Sequence, residues 1–188
     1  AALADGVAVD LQPGTTLVVQ AGETVGALAG AGAVQLAAGT LATGGNGAST
    51  VLSGPLGGPG RLAKQGSGHF TLSGDNTHTG GLLLQGGVLA VAADAALGAV
   101  PLPTLPADVL FDGGTLQATQ GFTLAAERRL VLQGAGGTLQ VDAGHTLALP
   151  ATLLDGNNAG TLTKTGAGRL ALTATADNPR TGITRVLD

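Results

Sequence analysis

Three histidines, one glycine-flanked serine and twelve Asp and Glu residues are the groups with which these 188 residues could do chemistry. His69, His78 and His145 belong to different internal repeats. Arg169 stands at the place matched to His69, and Phe122 at the place matched to His145, so neither a ligand set nor a general base is indicated. Ser67 lies in Gly66-Ser67-Gly68, superficially a nucleophile turn. The full Gly-x-Ser-x-Gly elbow is missing, and Ala167 occupies the matched place in the other copy. Asp155-Gly156-Asn157-Asn158 offers oxygens at alternate positions, but the twelfth position of a calcium loop would be Gly166, where a Glu is needed. Gly44-Gly45-Asn46-Gly47-Ala48-Ser49 has the glycines of a calcium-binding nonapeptide turn, yet Ser49 stands where Asp belongs and the unit does not recur. Asp108 and Asp112 flank Phe111 and could act as acid and base on a glycoside. Sugar sites rely on aromatic platforms, however, and the chain has only Phe70, Phe111 and Phe122. Each motif reads as a turn, so no catalytic, metal-binding or cofactor-binding residue is expected.

What recurs instead is a frame. Gly60 to Gly80 returns a hundred positions later as Gly160 to Gly182. The kept pairs are Leu62/Leu162, Lys64/Lys164, Gly66/Gly166, Gly68/Gly168 and Leu72/Leu172, then, after a slip of two, Asn76/Asn178 and Gly80/Gly182. A repeat cannot bury its apolar face alone, so the fold must be a stack. The repeated lysines read as outward strand positions, in register and within reach of a neighbouring coil's carboxylate. The repeated glycines read as turn residues that reach positive φ without a steric penalty. The asparagines read as turn or stacking residues, because Asn tolerates left-handed backbone and bonds its own main chain.

Composition narrows the rest. Hydrophobic residues make up 44%, with no Trp, Tyr, Met or Cys, so the core must be aliphatic. Thirty-four glycines without a Gly-X-Y triplet exclude collagen and leave glycine to punctuate short strands. Net charge is −4 and the eight basic residues are scattered, which excludes the phosphate-binding stripe that nucleic acid requires. No apolar run is long enough for a membrane-spanning helix. The first residues form no signal peptide and begin mid-pattern, so a piece of a larger protein is expected.

Period-two alternation predicts strands at 16–20, 33–37, 70–73, 82–85, 88–91, 130–133, 138–141, 146–149 and 169–173. Leu17, Val19, Leu82, Leu84, Leu89, Val91, Leu130, Leu132, Leu139, Val141, Leu147, Leu149, Leu170 and Leu172 would face inward. A second repeat sets the architecture: Gly113-Gly114-Thr115-Leu116-Gln117 with Gly121-Phe122-Thr123-Leu124 returns 23 residues later as Gly136 to Gln140 with Gly144 to Leu147, and Gly22 to Val25 echoes it. A unit of that length suits one coil of a parallel β-helix, and roughly eight coils about 4.8 Å apart would fit the chain. A β-sandwich is the alternative, but it does not require the 23-residue self-similarity. Pro101, Pro103 and Pro106 place an excursion at about 98–109, since proline supplies no ladder donor, and this is the candidate partner loop.

The segment from Leu52 to Val91 carries Lys, paired glycines, Leu-x-Leu, Gly-x-Asn-Thr and Thr-Gly-Gly. In these it resembles the autotransporter-associated β-strand, or passenger-associated transport, repeat of bacterial type V secreted passengers. A second, degraded copy runs over 160–188, where Pro179 and Arg180 interrupt the Asn-Thr-x-Thr-Gly stretch. The resemblance implies a single all-β segment over 1–188, a right-handed parallel β-helix exported to the surface of a Gram-negative bacterium or secreted from it, with the repeat assisting passenger folding and secretion. Lack of cysteine suits passage through a narrow pore. The implied partners are adjacent coils of the parent passenger and the outer-membrane barrel during export, with host surface or sister rods in an adhesin reading. No cofactor and no enzymatic activity are expected of this segment.

Overall fold

The computed structural model describes residues 2–101, 108–174 and 178–187. Short segments with an aliphatic residue at every second place form strands that are too short to bury anything singly, and they stack into three faces. The first face is a nine-stranded sheet of β1 (Ala8–Leu11), β4 (Ala27–Gly30), β7 (Thr50–Leu52), β10 (His69–Leu72), β12 (Val88–Val91), β14 (Thr115–Ala118), β17 (Gly137–Val141), β20 (Leu162–Thr165) and β22 (Thr184–Val186). The second holds seven strands: β3 (Glu23–Val25), β6 (Thr40–Thr43), β9 (Arg61–Lys64), β11 (Leu82–Leu84), β13 (Val109–Phe111), β16 (Arg129–Leu132) and β19 (Thr152–Asp155). The third face is broken into two three-stranded sheets, β2 (Thr16–Val19), β5 (Ala33–Leu36) and β8 (Leu56–Gly57), then β15 (Phe122–Thr123), β18 (Thr146–Leu149) and β21 (Arg169–Leu172).

The described pairings are all parallel, and each joins a strand to its counterpart one winding later. Nine strands on the first face therefore make eight windings of a parallel β-helix. The sandwich alternative, which needs antiparallel sheets, does not hold. Winding length follows the corners: Ala8 pairs with Ala27 but Val88 with Thr115, the longest step, because that winding carries the excursion after residue 98. Val109, expected in the excursion, instead opens β13 opposite Leu82. Asp94–Leu97 forms a short 3-10 turn before it, and Pro101 is buried; Pro103 and Pro106 lie outside the described residues.

The 23-residue unit holds through the first face, where Thr115, Leu116 and Gln117 sit opposite Thr138, Leu139 and Gln140. It fails at the next corner. Phe122 pairs with Leu147 rather than lying level with His145. The corner after β17 is closed by His145 N–H donating to the Asp142 carbonyl (3.1 Å), which draws His145 into the turn.

The interior is a set of aliphatic rows. Leu41, Leu62, Leu82, Val109, Leu130 and Leu153 form one along the second face, each buried and each stacked on the last. Burying such a side chain contributes about 1.5–3 kcal/mol relative to leaving it in water. Leu172 departs from the expected inward set and is 57% exposed, because β21 is the last described strand of its sheet and has Leu149 below it but no described strand above.

Candidate functional site

The kept residues of the two repeat copies occupy equivalent corners on different faces. In the first copy Lys64 ends β9 on the second face and the chain turns into β10 on the first. In the second copy Lys164 lies in β20 on the first face and the chain turns into β21 on the third. The unit has been rotated by one face, so its signature describes a corner and not a particular sheet. Leu62 and Leu162, which lead into the two corners, are both buried.

Both lysines point inward, contrary to the outward reading. Lys64 stands in an interior row between Thr43 and Leu84, and is 1% exposed. Its ammonium donates to the carbonyls of Gln65 (2.7 Å), Gly66 (3.2 Å) and Gly86 (3.3 Å). The alkyl stem lies in the aliphatic interior, while the charge reaches corner carbonyls that the sharp turn leaves outside the ladders. Burial lowers the Lys64 pKa from its usual value. Lys164 repeats the arrangement next to Leu139, donating to the Gly166 carbonyl. Among the described residues neither lysine pairs with a carboxylate.

The glycines of the corner divide into two kinds. Gly66 and Gly166 make the turn, with φ of +68° and +78° that favours residues without a Cβ. Gly68 and Gly168 do not have positive φ, contrary to the turn reading of the repeated glycines. What excludes a side chain there is the coil beneath: a Cβ on Gly68 would run into the Ala48 carbonyl oxygen, and one on Gly168 into that of Asp142. Gly168 is further tied to that coil by donating its N–H to the Val141 carbonyl (2.9 Å). The two also differ in cover. Gly68 is buried beneath the next coil, whose Val88 N–H donates to its carbonyl (3.2 Å), whereas Gly168 is half-buried beside β21, above which no strand is described. Gly80 and Gly182 are again close-approach positions, where a Cβ would meet the carbonyl oxygen of Gly60 or of Gly160.

The asparagines also act between coils. On the third face, where the first copy has no described strand, the Asn76 Oδ1 accepts from Leu56 N–H (2.9 Å) and Nδ2 donates to the Ala96 carbonyl (2.7 Å). One side-chain amide thus performs both functions of a peptide group in the ladder, joining the coil below to the coil above. Asn178 Oδ1 likewise accepts from Leu153 N–H (2.8 Å), where a second-face strand would otherwise pair. Among the described residues no non-glycine has positive φ, so neither asparagine adopts the left-handed turn conformation expected of it.

The groups with chemical potential do not converge. His69 is exposed and His145 half-buried, while His78 is fully buried with neither ring nitrogen hydrogen-bonded. Burial first, then the Arg128 charge, pushes His78 down to about 4, opposed in part by the Leu56 carbonyl. Ser67 sits on an exposed turn. The Asp155 carboxylate accepts from Thr181 N–H (2.6 Å), Thr181 Oγ1 (2.9 Å), Gly182 N–H (3.2 Å) and Arg180 Nε (3.3 Å), an anchor for the second repeat's turn that holds its pKa below the usual value, chiefly through the Thr181 amide. Asp108 is bonded to Arg129 through both oxygens (2.7 and 2.8 Å), which is not the posture of a glycosidase acid. Among the described residues no group of three His, Asp or Glu could hold a metal ion, and no helix is long and apolar enough to cross a membrane.

Sequence reasoning missed the ion pair of buried Arg128 with partly exposed Asp94, 2.7 Å apart. The two lie 34 positions apart, and only the winding with the excursion brings them together.

Residues 62–91 and 162–188 match the passenger-associated-transport-repeat family. The chain is also similar to the adhesin BmaC autotransporter of Brucella suis biovar 1 (strain 1330), with 38% identity over 97 residues, an alignment covering 52% of this chain and 3% of that protein. No solved structure matches the chain. The two family matches coincide with the two Lys-Gly-Asn corners, and both corners lie on one stack of parallel coils; the chain carries two passenger-associated transport repeats on a parallel β-helix and is similar to part of an autotransporter adhesin.

Proposed function

We propose that this segment is a non-catalytic stalk that supports the folding and secretion of its parent passenger across the outer membrane of a Gram-negative bacterium. The observation that carries this reading is how the repeat uses its polar residues: Lys64, Asn76, Lys164 and Asn178 are all bonded to backbone of their own or neighbouring coils. A corner built in this way presents a finished edge to the next winding. Leu72 is 1% exposed beneath Val91, whereas its counterpart Leu172 is 57% exposed with no described strand upon it, so each coil is completed by the one that follows. Burial of successive aliphatic rows outside the cell would then favour forward movement of the chain through the barrel. Urea titration of terminal truncations tests this. Stability should fall with each coil removed, and an isolated interior pair of coils as stable as the whole would contradict it.

A second reading, an adhesive surface, is favoured by the similarity to a protein named as an adhesin and by an ordered outer row on the first face. There Thr115, Thr138 and Thr163 are in register, beside Gln117, Gln140 and Thr165. Replacing the three threonines with lysine, and separately deleting the excursion after residue 98, should leave secretion unchanged under both readings. Loss of adherence in either variant would favour the adhesin.

A further inference from the structure

The excursion that follows residue 98 leaves the rod from the 3-10 turn Asp94–Leu97 and returns at Asp108, immediately before β13. Both stems are gripped from one place on the winding above. Arg128, fully buried, donates from Nε to Asp94 Oδ1 (2.7 Å) and from Nη2 to Asp94 Oδ2 (3.0 Å). Its Nη2 also donates to the carbonyls of Gly98 (2.7 Å) and Asp94 (3.1 Å), and its Nη1 to that of Ala99 (3.3 Å). Arg129, the next residue, holds the returning stem through Asp108. One dipeptide therefore holds both ends of the insertion.

His78 lies against the first of these stems. Its backbone carbonyl accepts from Ala99 N–H (3.0 Å), and a Cβ on Gly98 would fall 2.6 Å from the ring. Both ring nitrogens are buried without a hydrogen-bond partner. Among the described residues, the charged group acting on the imidazole is Arg128, which is tied to Asp94 on the 3-10 turn; from β8 the ring meets the Leu56 carbonyl. A proton on His78 would put a second positive charge in a dry site beside a guanidinium whose carboxylate partner is already engaged.

We propose that Arg128 and Arg129 form a clasp holding both stems of the excursion, and that protonation of His78 releases the Arg128 side, making display of the insertion acid-sensitive. The direction follows from linkage. The closed form disfavours the proton and the opened form takes it, so nothing changes above about pH 6.5; below it the opened population grows up to about tenfold per pH unit, levelling near pH 4 at roughly 300-fold.

Hydrogen exchange of the full chain between pH 7.5 and pH 4, corrected for intrinsic rates, tests this. The peptide covering 92–101 should lose protection with that slope, while the returning stem at 108–112, held by Arg129, and the strand at 137–141 should not. His78→Phe, which keeps a ring and removes the titration, should flatten the profile. A flat profile in the native chain, or an unchanged slope in His78→Phe, would overturn the proposal. Should His78→Phe fail to fold, NMR titration of the native imidazole decides: a midpoint near 4 together with stem opening supports the clasp, and a midpoint near 6.5 rejects it.

Discussion

Replacing Asn76 with alanine removes both hydrogen bonds that bridge the third face between β8 and the 3-10 turn. Leu56 N–H and the Ala96 carbonyl would then be left without partners at a site where Asn76 itself is only 5% exposed. Each buried polar group so orphaned costs about 1–3 kcal/mol, so the expected loss is about 2–6 kcal/mol. Asn178→Ala removes one bond at an exposed residue and should cost about 1 kcal/mol or less. Asn76→Asp gives an internal control. Its carboxylate can still accept from Leu56 but cannot donate to Ala96, and burial raises its pKa, so stability relative to the parent should recover as pH falls and the carboxyl regains a proton to donate. Equilibrium unfolding in urea, followed by far-ultraviolet circular dichroism because the chain has no Trp or Tyr, reads all three. If Asn76→Ala costs under about 0.5 kcal/mol, or no more than Asn178→Ala, the side-chain amide is not serving as a rung of the ladder.

Other perturbations follow from the same corners. Lys64→Met keeps the buried stem but withdraws the donor from three carbonyls, and should lower stability by about 1–3 kcal/mol in urea titrations, against about 1 kcal/mol or less for Lys164→Met. Gly54→Ala would drive a Cβ into the Gly32 carbonyl oxygen and should cost about 3 kcal/mol by the same assay. Gly144→Ala meets no atom within 4 Å and should cost only the left-handed backbone penalty at φ +80°, about 1 kcal/mol. Leu72→Asp should abolish cooperative thermal unfolding, whereas Leu172→Asp should shift stability by about 0.5 kcal/mol or less.

Much of the architecture was legible along the chain because a solenoid writes its contacts locally. Strands 17 to 27 residues apart are the ones that pair, so Thr115-Leu116-Gln117 and Thr138-Leu139-Gln140 carry their registry in their own likeness. Alternation picked out Val88–Val91 and Thr146–Leu149. It passed over Arg61–Lys64, whose inward row ends in a charge, and Ala27–Gly30, whose small residues carry little contrast. The repeat copies were visible as sequence. That they sit one face apart was not, because each corner has the same local geometry whichever sheets it joins. Nor does the letter Gly distinguish Gly166, which bends the chain, from Gly168, which makes room for the coil beneath it.

Residue types and spacing by themselves determined the parallel coils, the aliphatic core and the places where the chain must turn, since each depends on neighbours within one winding. Tertiary structure decided which way the polar repeat residues face. Whether a lysine at a strand end lies in water or reaches through an apolar row to carbonyls above depends on what the next coil leaves unbonded. Whether an asparagine bonds its own turn or two neighbouring coils depends on a strand missing from that face. The meeting of Arg128 with Asp94, and of His78 with Arg128, likewise required successive windings to be stacked in space.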